Sequence, residues 1–590
     1  MYLRLKGETE MYKFKINNIK FSDDKEFTPN ALTVIVGPNN SGKSRVLKDI
    51  DALISKKVGK SIVISNIDFE LPNSLEELQE RYEVNTYTDE YNNSYIRGLN
   101  TNMYGEYRIN IWDGWKDHFN SLLKNRNEEA ILTFREFIGS NFVTILSTEQ
   151  RLQLITEKES LHISLSDNNL LNEFYNQGVE VEDKLREIIR DTFKMDIKLD
   201  FSTLRKLKFR IGENLEMIPA DPREARSIFE NFEALDDQGD GIKSFVATIL
   251  AMIVGKKEVF LLDEPEAFLH PPQAMKLGEY IAQFADTNKQ MFISTHSADL
   301  LRGIISKTQN LNIIRVDRNG NTTNIKILNS EDVCAIANDP LLSSSRVLEG
   351  VFYKGAVVVE ADSDATFYHR IARQIRNTDD IHYTHAHNKQ TVAKVILPYN
   401  KLGVNAATIV DFDIIRVQAE FKNLLQKMSF NEEEIRRLLE LREKIVEEIE
   451  DVDINQQLAS LKDNVENILN KIKEKIGQNQ QISNVDDVLR ELKKIRENNS
   501  AWAQYKNIGC CALKDRREEF DNLYNICKEK GLFIVPVGEL ESWLIEYGVN
   551  KSSNKGKWIV SALEKIPELE VNIEKQPWKF IQEVNDYLIR

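Results

Sequence analysis

No apolar run in the 590-residue sequence approaches the length needed to span a bilayer, and the opening Met1-Tyr2-Leu3-Arg4-Leu5-Lys6 lacks the apolar segment of a secretory signal. Both absences point away from membranes and export, and the expected location is the cytoplasm. Cysteine is scarce too. Cys334, Cys510, Cys511 and Cys527 form no C-x-x-C spacing, so neither a disulfide framework nor a zinc site is indicated, and reduced packing residues are the simplest reading. An excess of basic charge is also missing: 78 Lys and Arg against 93 Asp and Glu leave a net charge of −15. Any contact with nucleic acid must then use a local basic patch or metal ions bridging to phosphate. What remains is an ordinary globular composition, 41% hydrophobic and 29% charged, in a chain too long for one core. About two to four domains are expected.

The most informative stretch is Gly37-Pro38-Asn39-Asn40-Ser41-Gly42-Lys43-Ser44, preceded by the apolar run Leu32 to Val36 and followed by a helical pattern from Arg45 to Leu53. G-x-x-x-x-G-K-S between a strand and a helix is a phosphate-binding loop. Gly37 and Gly42 let the backbone turn its N–H groups, with those of Asn39, Asn40 and Ser41, toward a polyphosphate at a helix N-terminus. Lys43 is expected on the β- and γ-phosphates and Ser44 on magnesium, which makes ATP the expected ligand. Before the loop, Tyr12, Phe14 and Ile16 alternate with Lys13 and Lys15 in a strand pattern from Met11 to Phe21. After it, residues from about 73 to 145 turn polar and then helical near Trp115 to Phe137, as an insertion would.

Further on, Asp236 to Ser244 is a glycine-bearing loop with Gly239 and Gly241, followed by the apolar helix Phe245 to Val254. Then Val259 to Leu262 forms an apolar strand ending in Asp263-Glu264-Pro265-Glu266, and Met291 to Ser294 another that leads to His296. An acid at the strand end would hold the magnesium shell, here Asp263, and its neighbour Glu264 would polarise the attacking water. In this order the motifs resemble the ABC-type ATPases, specifically the RecF and SMC-like branch. The resemblance implies a signature loop at Gln238 to Ser244, which makes Gly239, Gly241 and Ser244 nucleotide contacts, and a switch histidine at His296. It also implies that two heads pair across their nucleotides, giving at least a homodimer.

The region from Asn310 to Ser345 has short strands and polar turns and is a plausible boundary. A second alternation follows. Ala356 to Val359 is an apolar strand ending at Glu360, with Asp364 entering a helix; Ala406 to Val410 ends at Asp411-Phe412-Asp413; and Leu532 to Val537 leads to Glu539 and Glu541. In a parallel sheet these acids would gather beyond the carboxyl ends of the strands. Carboxylates packed that closely repel unless a cation neutralises them, and a hard divalent ion, Mg2+ or Mn2+, is the economical choice. His382, His385 and His387 lie nearby in sequence, where polar surface is the commoner role for such a cluster.

Glu360 with Asp364 and the Asp411-x-Asp413 pair are similar to the Toprim domain. An ABC-type head followed by Toprim resembles the OLD (overcoming lysogenization defect) nucleases over most of the chain. The resemblance implies an α/β fold with an ABC-type ATPase domain over 1–345 and a Toprim domain over 346–590. The chain departs from the family pattern in the long distance from Asp413 to the next strand, where a charged helical insertion is read at about 416–505. The predicted helices there run from Glu432 to Ile449 and from Ile454 to Ile476. The resemblance further implies metal ligands at Glu360, Asp364, Asp411, Asp413 and Glu541, with Glu539 as rival for the last, and a late lysine, Lys555 or Lys557. In place of the usual glycine after the first glutamate this sequence has Ala361. The implied activity is an ATP-regulated, metal-dependent DNA endonuclease or nickase in anti-phage defence, with a reverse transcriptase and structured DNA-RNA as attractive partners. An SMC-like DNA clamp without cleavage, or a nuclease directed at RNA or tRNA, are the alternatives.

Overall fold

The structure is a computed structural model. It describes residues 12–55, 61–82, 86–88, 94–97, 108–111, 115–160, 170–215, 218–255, 257–285, 289–320, 322–339, 344–451, 458, 461–463, 465–470, 473, 501–551 and 555–589. The chain divides into two compact units, Met1–Phe352 and Tyr353–Arg590.

The first unit is built on a six-stranded sheet. Thr322–Leu328 lies at one edge, then Leu311–Asn319, Leu32–Val36, Gln290–Ser294, Val259–Asp263 and Val143–Leu146. All neighbours pair in parallel except the first two. Leu32–Val36 is buried at every position, as expected of a strand with helices on both faces. The short strands expected after Asn310 are present and belong to this sheet: Leu311–Asn319 runs parallel to the phosphate-loop strand, and its β-branched residues fill the same core.

The opening segment keeps its alternation, with Tyr12, Phe14 and Ile16 buried and Lys13 and Lys15 exposed, although regular pairing spans only Ile16–Phe21. Phe14 stacks on Phe142 at 4.7 Å. Within the polar stretch, Thr86–Thr88, Ser94–Arg97 and Arg108–Ile111 make a small antiparallel sheet. The helix expected near Trp115 to Phe137 is two, Trp115–Asn125 and Glu128–Phe137, because Arg126 takes a left-handed φ of 48° and Asn127 caps the second. A separate sheet, Asp196–Asp200, Lys206–Gly212 and Glu233–Ala234 with Lys158–Glu159, follows.

The second unit has a four-stranded, wholly parallel sheet in the order Ile381–His385, Gly355–Val359, Asn405–Val410 and Leu532–Ile534. Asp362–Arg376, Lys555–Lys565 and Trp578–Ile589 contribute to its core on one side, including Tyr368, Trp558 and Trp578. Gln418–Lys427 and Glu432–Glu450 open the insertion, and the second of these is tied down firmly. Arg442 donates to the carbonyls of Ile415 and Arg416 at 2.7 Å each, and Glu448 accepts the N–H groups of Lys514, Asp515 and Arg516. The predicted helix from Ile454 to Ile476 lies largely outside the described residues, as does the opening Met1 to Lys6.

Helices Pro271–Phe284 and Ala298–Lys307 flank the strand Gln290–Ser294 and pack closely through two glycines. A β-carbon at Gly278 would stand 2.3 Å from the Leu300 oxygen, and one at Gly303 2.0 Å from the Met275 oxygen. Gly303→Ala is therefore expected to destabilise the first unit by about 1–3 kcal/mol or more through overpacking, read as a lower midpoint in urea.

Candidate functional site

Two edges gather the chemistry, one in each unit. In the first, Gly37, Asn39, Asn40, Ser41 and Gly42 form the turn between Leu32–Val36 and the helix Lys43–Ser55, of which Lys43 and Ser44 are the first residues. Gly37 has φ 142°, and a β-carbon there would meet the Val316 oxygen at 2.1 Å, so no other residue fits. Gly42 (φ 106°) and Asn40 (φ 61°) complete the turn. Lys43 is buried and curls back to donate to the carbonyls of Gly37 at 2.9 Å and Pro38 at 2.8 Å. Burial lowers its ammonium to about 8, against the pull of Glu264, Glu266 and Asp263. The Ser41 hydroxyl is enclosed with no hydrogen-bond partner. An enclosed cation and an orphan hydroxyl under a glycine turn suit a phosphate chain.

Parallel register sets Asp263 beside Ser294, and Ser294 beside Ile35 of the phosphate-loop strand. The Ser294 hydroxyl donates to Asp263 at 2.5 Å. Glu264 adopts φ 47°, and its carboxylate lies 2.9 Å from His296 Nε2. Burial, with Lys43 nearby, lowers the His296 pKa and favours the neutral imidazole, although Glu264 pulls the other way. Glu266 accepts from the Thr295 hydroxyl and the His296 N–H, and its pKa is raised by burial. Asp263, Glu264 and His296 thus stand at one edge with Lys43.

Arg151 was not foreseen in the sequence. It is fully buried, and its five N–H groups meet five acceptors: the Asp263 and Glu264 carbonyls, the Leu146 carbonyl, the Ser244 hydroxyl and the Thr148 hydroxyl. Burial lowers its pKa to about 10, with the nearby acids opposing. The left-handed backbone at Glu264 is held from behind by this guanidinium. The same contacts bear on one residue of the glycine loop, Ser244. Gly239 is the N-cap of helix Asp240–Val254, Gly241 lies in its first turn, and Ser244 points into the core. The Ser244 hydroxyl serves Arg151 and is not open to a nucleotide. Gly241 has its own steric reason, since a β-carbon would lie 2.7 Å from the Phe268 oxygen.

In the second unit the strand ends meet as the parallel order requires. The Glu360 carboxylate accepts the Asp411 N–H at 3.2 Å, and Asp364 accepts the Ala361 N–H at 3.0 Å. Burial raises Glu360 to about 7 despite that N–H, with Asp413 and Asp364 adding to the rise. Burial, then Glu360 and Asp364, pushes Asp411 well above the carboxylate range. Asp364 is raised by burial, with Glu541 contributing. Glu541 does not end a strand as expected. Leu532–Ile534 stops early, the chain turns at Gly538 (φ 104°), whose carbonyl accepts the Phe412 N–H, and Glu541 sits in the following short turn, buried.

One Glu541 oxygen is enclosed with no hydrogen-bond partner, while the other lies 3.8 Å from Lys555. Lys555 is raised above the lysine range: burial opposes, and Glu541, Asp411 and Asp364 prevail. Glu539 instead binds Lys551 at 2.9 Å. His385 stands 3.6 Å from Asp362 and 4.6 Å, ring to ring, from His387, while His382 packs on Tyr353. The acids are of the kind that a hard cation takes, and one buried carboxylate oxygen among them lacks a partner. Their spacing is looser: among the described residues no group of three or more His, Cys, Asp or Glu is close-set enough to hold a metal as it stands. Nor is any helix among them long and apolar enough to cross a membrane.

Residues 32–302 match a family described as "AAA domain, putative AbiEii toxin, Type IV TA system". The chain therefore carries an ATPase domain within its α/β fold. The Old nuclease of Escherichia phage P2 is 25% identical over 179 residues, which cover 28% of this chain and 30% of that relative. The chain thus matches less than a third of that protein's length. Among solved structures, an SMC head bound to the C-winged helix domain of ScpA aligns at 12% identity and a TM-score of 0.34, covering 54% of this chain and 99% of the other. The SMC head domain from Thermotoga maritima aligns at 13% and 0.28, covering 53% and 99%.

Lys43→Ala is expected to abolish ATP binding, whereas Glu264→Gln keeps binding and lowers hydrolysis by about 100-fold or more; nucleotide titration and phosphate release separate the two. Arg151→Lys keeps the charge but cannot reach five acceptors. It is expected to lower the kcat of ATP hydrolysis by about tenfold or more with little change in nucleotide Kd, measured in parallel assays.

Proposed function

We propose that the chain is an ATP-controlled, divalent-metal-dependent DNA endonuclease or nickase, with an ABC-type head over 1–345 and a Toprim-like domain over 346–590. The observation that carries this reading is the convergence of Glu360, Asp364, Asp411 and Glu541 on one sheet edge, where burial and mutual repulsion raise the first three. A structural core has no use for that arrangement, and a phosphodiester-cutting site has one. Glu360, Asp364, Asp411, Asp413 and Glu541 would hold Mg2+ or Mn2+. The ion, when bound, supplies water activation and charge stabilisation at the phosphodiester. The chain's own groups fix the edge: the Asp411 N–H orients Glu360, the Ala361 N–H orients Asp364, and Lys555 balances Glu541.

At the other edge, the turn from Gly37 to Gly42 and Lys43 would hold the ATP phosphates. Ser44 and Asp263 would face its magnesium, Glu264 the attacking water, and neutral His296 would orient Glu264. Gly239 and Gly241 would meet the nucleotide of a second head, with Ser244 bracing their helix from behind through Arg151. The reading brings with it a homodimer, a cytoplasmic setting and an anti-phage role, with a reverse transcriptase and its DNA-RNA as candidate partners. The Old nuclease likeness supports the nuclease class.

One observation favours a second reading, an SMC-like clamp that binds DNA and does not cut: the acids are not yet at metal spacing. Supercoiled plasmid with Mg2+ and ATP decides. Wild type is expected to nick or linearise it; Asp411→Asn and Glu360→Gln are expected to lose about 100-fold or more of that activity while hydrolysing ATP normally. Intact plasmid with wild type under Mg2+ or Mn2+, across DNA and RNA substrates, overturns the nuclease.

A further inference from the structure

Four lysines from separate segments surround the acid edge, and they are not held alike. Lys551 is locked, donating to Glu539 at 2.9 Å, Asn507 at 2.9 Å and the Lys506 carbonyl at 3.3 Å. Lys555 faces Glu541. The other two bracket a single acid. Lys389, the first residue of helix Lys389–Lys401, brings its ammonium to 3.7 Å from Asp413 Oδ1 and 3.4 Å from Glu420. Lys506, in the short helix Ala503–Ile508, brings its own to 3.8 Å from Asp413 Oδ2. The two Asp413 contacts are longer than hydrogen bonds, and the lysine side chains are 25% and 47% exposed. Loose, solvated pairs of this kind add little to stability, so stability does not account for the placement.

We infer that Lys389 and Lys506 form the phosphate-binding clamp of the site, held on Asp413 in the free protein and transferred to the phosphodiester backbone of a nucleic acid once Asp413 turns to a divalent ion. The inference rests on the nuclease reading of the acids. Each lysine sits on a different oxygen of the same carboxylate, so one ligand exchange takes that partner from both cations at once, on either side of the acid, and leaves Lys389 with Glu420 at 3.4 Å. A polyanion with regularly spaced charges is the ligand that two such ammonium groups suit. The composition calls for such a device. A chain of net charge −15 repels polyphosphate at long range and must collect its affinity locally.

The test compares wild type with Lys389→Gln/Lys506→Gln and with Lys389→Arg/Lys506→Arg, all full length. Anisotropy of a labelled phosphorothioate duplex, which keeps the backbone charge and resists cleavage, is followed against salt in Mg2+; a single-stranded RNA of the same length forms a second arm. The Gln variant is expected to bind about tenfold more weakly, with a salt slope shallower by about one to two, and the Arg variant to restore both. Titration with Mn2+ alone is expected to show tighter metal binding in the Gln variant, because Asp413 has lost two cationic competitors. Loss confined to DNA, confined to RNA, or shared by both supports the clamp and names its polymer. An unchanged salt slope on both, or Mn2+ affinity that is unchanged or weaker, overturns it. Wild type that binds the duplex and never cuts a plain one defeats the nuclease reading alone, since binding is read without cleavage.

Discussion

Parallel strand pairing is the constraint on which both units depend. When neighbouring strands run the same way, every carboxyl end arrives at one edge, and whatever polar residue follows each strand is delivered there. In the first unit the rule brings the glycine turn after Val36, Asp263 and Glu264 after their strand, and His296 after Ser294 to one place. In the second it does the same for Glu360 and Asp411. Residues about 30 to 50 apart in sequence, such as Asp263 and Ser294 or Glu360 and Asp411, come within hydrogen-bond distance without any loop having to search for its partner.

The two edges solve opposite electrostatic problems. The nucleotide edge keeps a buried lysine whose positive charge burial disfavours, among acids that pull it back toward protonation. A polyphosphate relieves that strain by supplying negative charge. The second edge holds an excess of carboxylates whose negative charge burial disfavours, and a proton or a cation relieves it. One fold class thus presents opposite charge patterns at its two edges by changing which residues follow the strands.

Much of this was legible in the sequence because the relevant signals are local. The G-x-x-x-x-G-K-S turn, the apolar runs ending in Asp263 and Glu360, and the Asp411-x-Asp413 spacing each carry their structural context within about ten residues. The signals that failed are those decided by tertiary packing. Ser244 looked available beside two glycines, yet the helix begins at Asp240 and turns it inward onto Arg151. Arg151 itself lies in an unremarkable charged stretch, and only the folded chain brings five acceptors around it. Glu539 and Glu541 were indistinguishable by spacing, and Lys551 separates them by occupying the first.

The anchoring of helix Glu432–Glu450 bears on how this protein tolerates change. Its grip on the rest of the unit comes from Arg442, on the turn that follows Asp413, and from Glu448, on the start of the helix Arg517–Glu529. Arg442 and Glu448 grip residues on either side of the insertion, so a substitution at one of them would loosen the turn after Asp413 or the start of helix Arg517–Glu529.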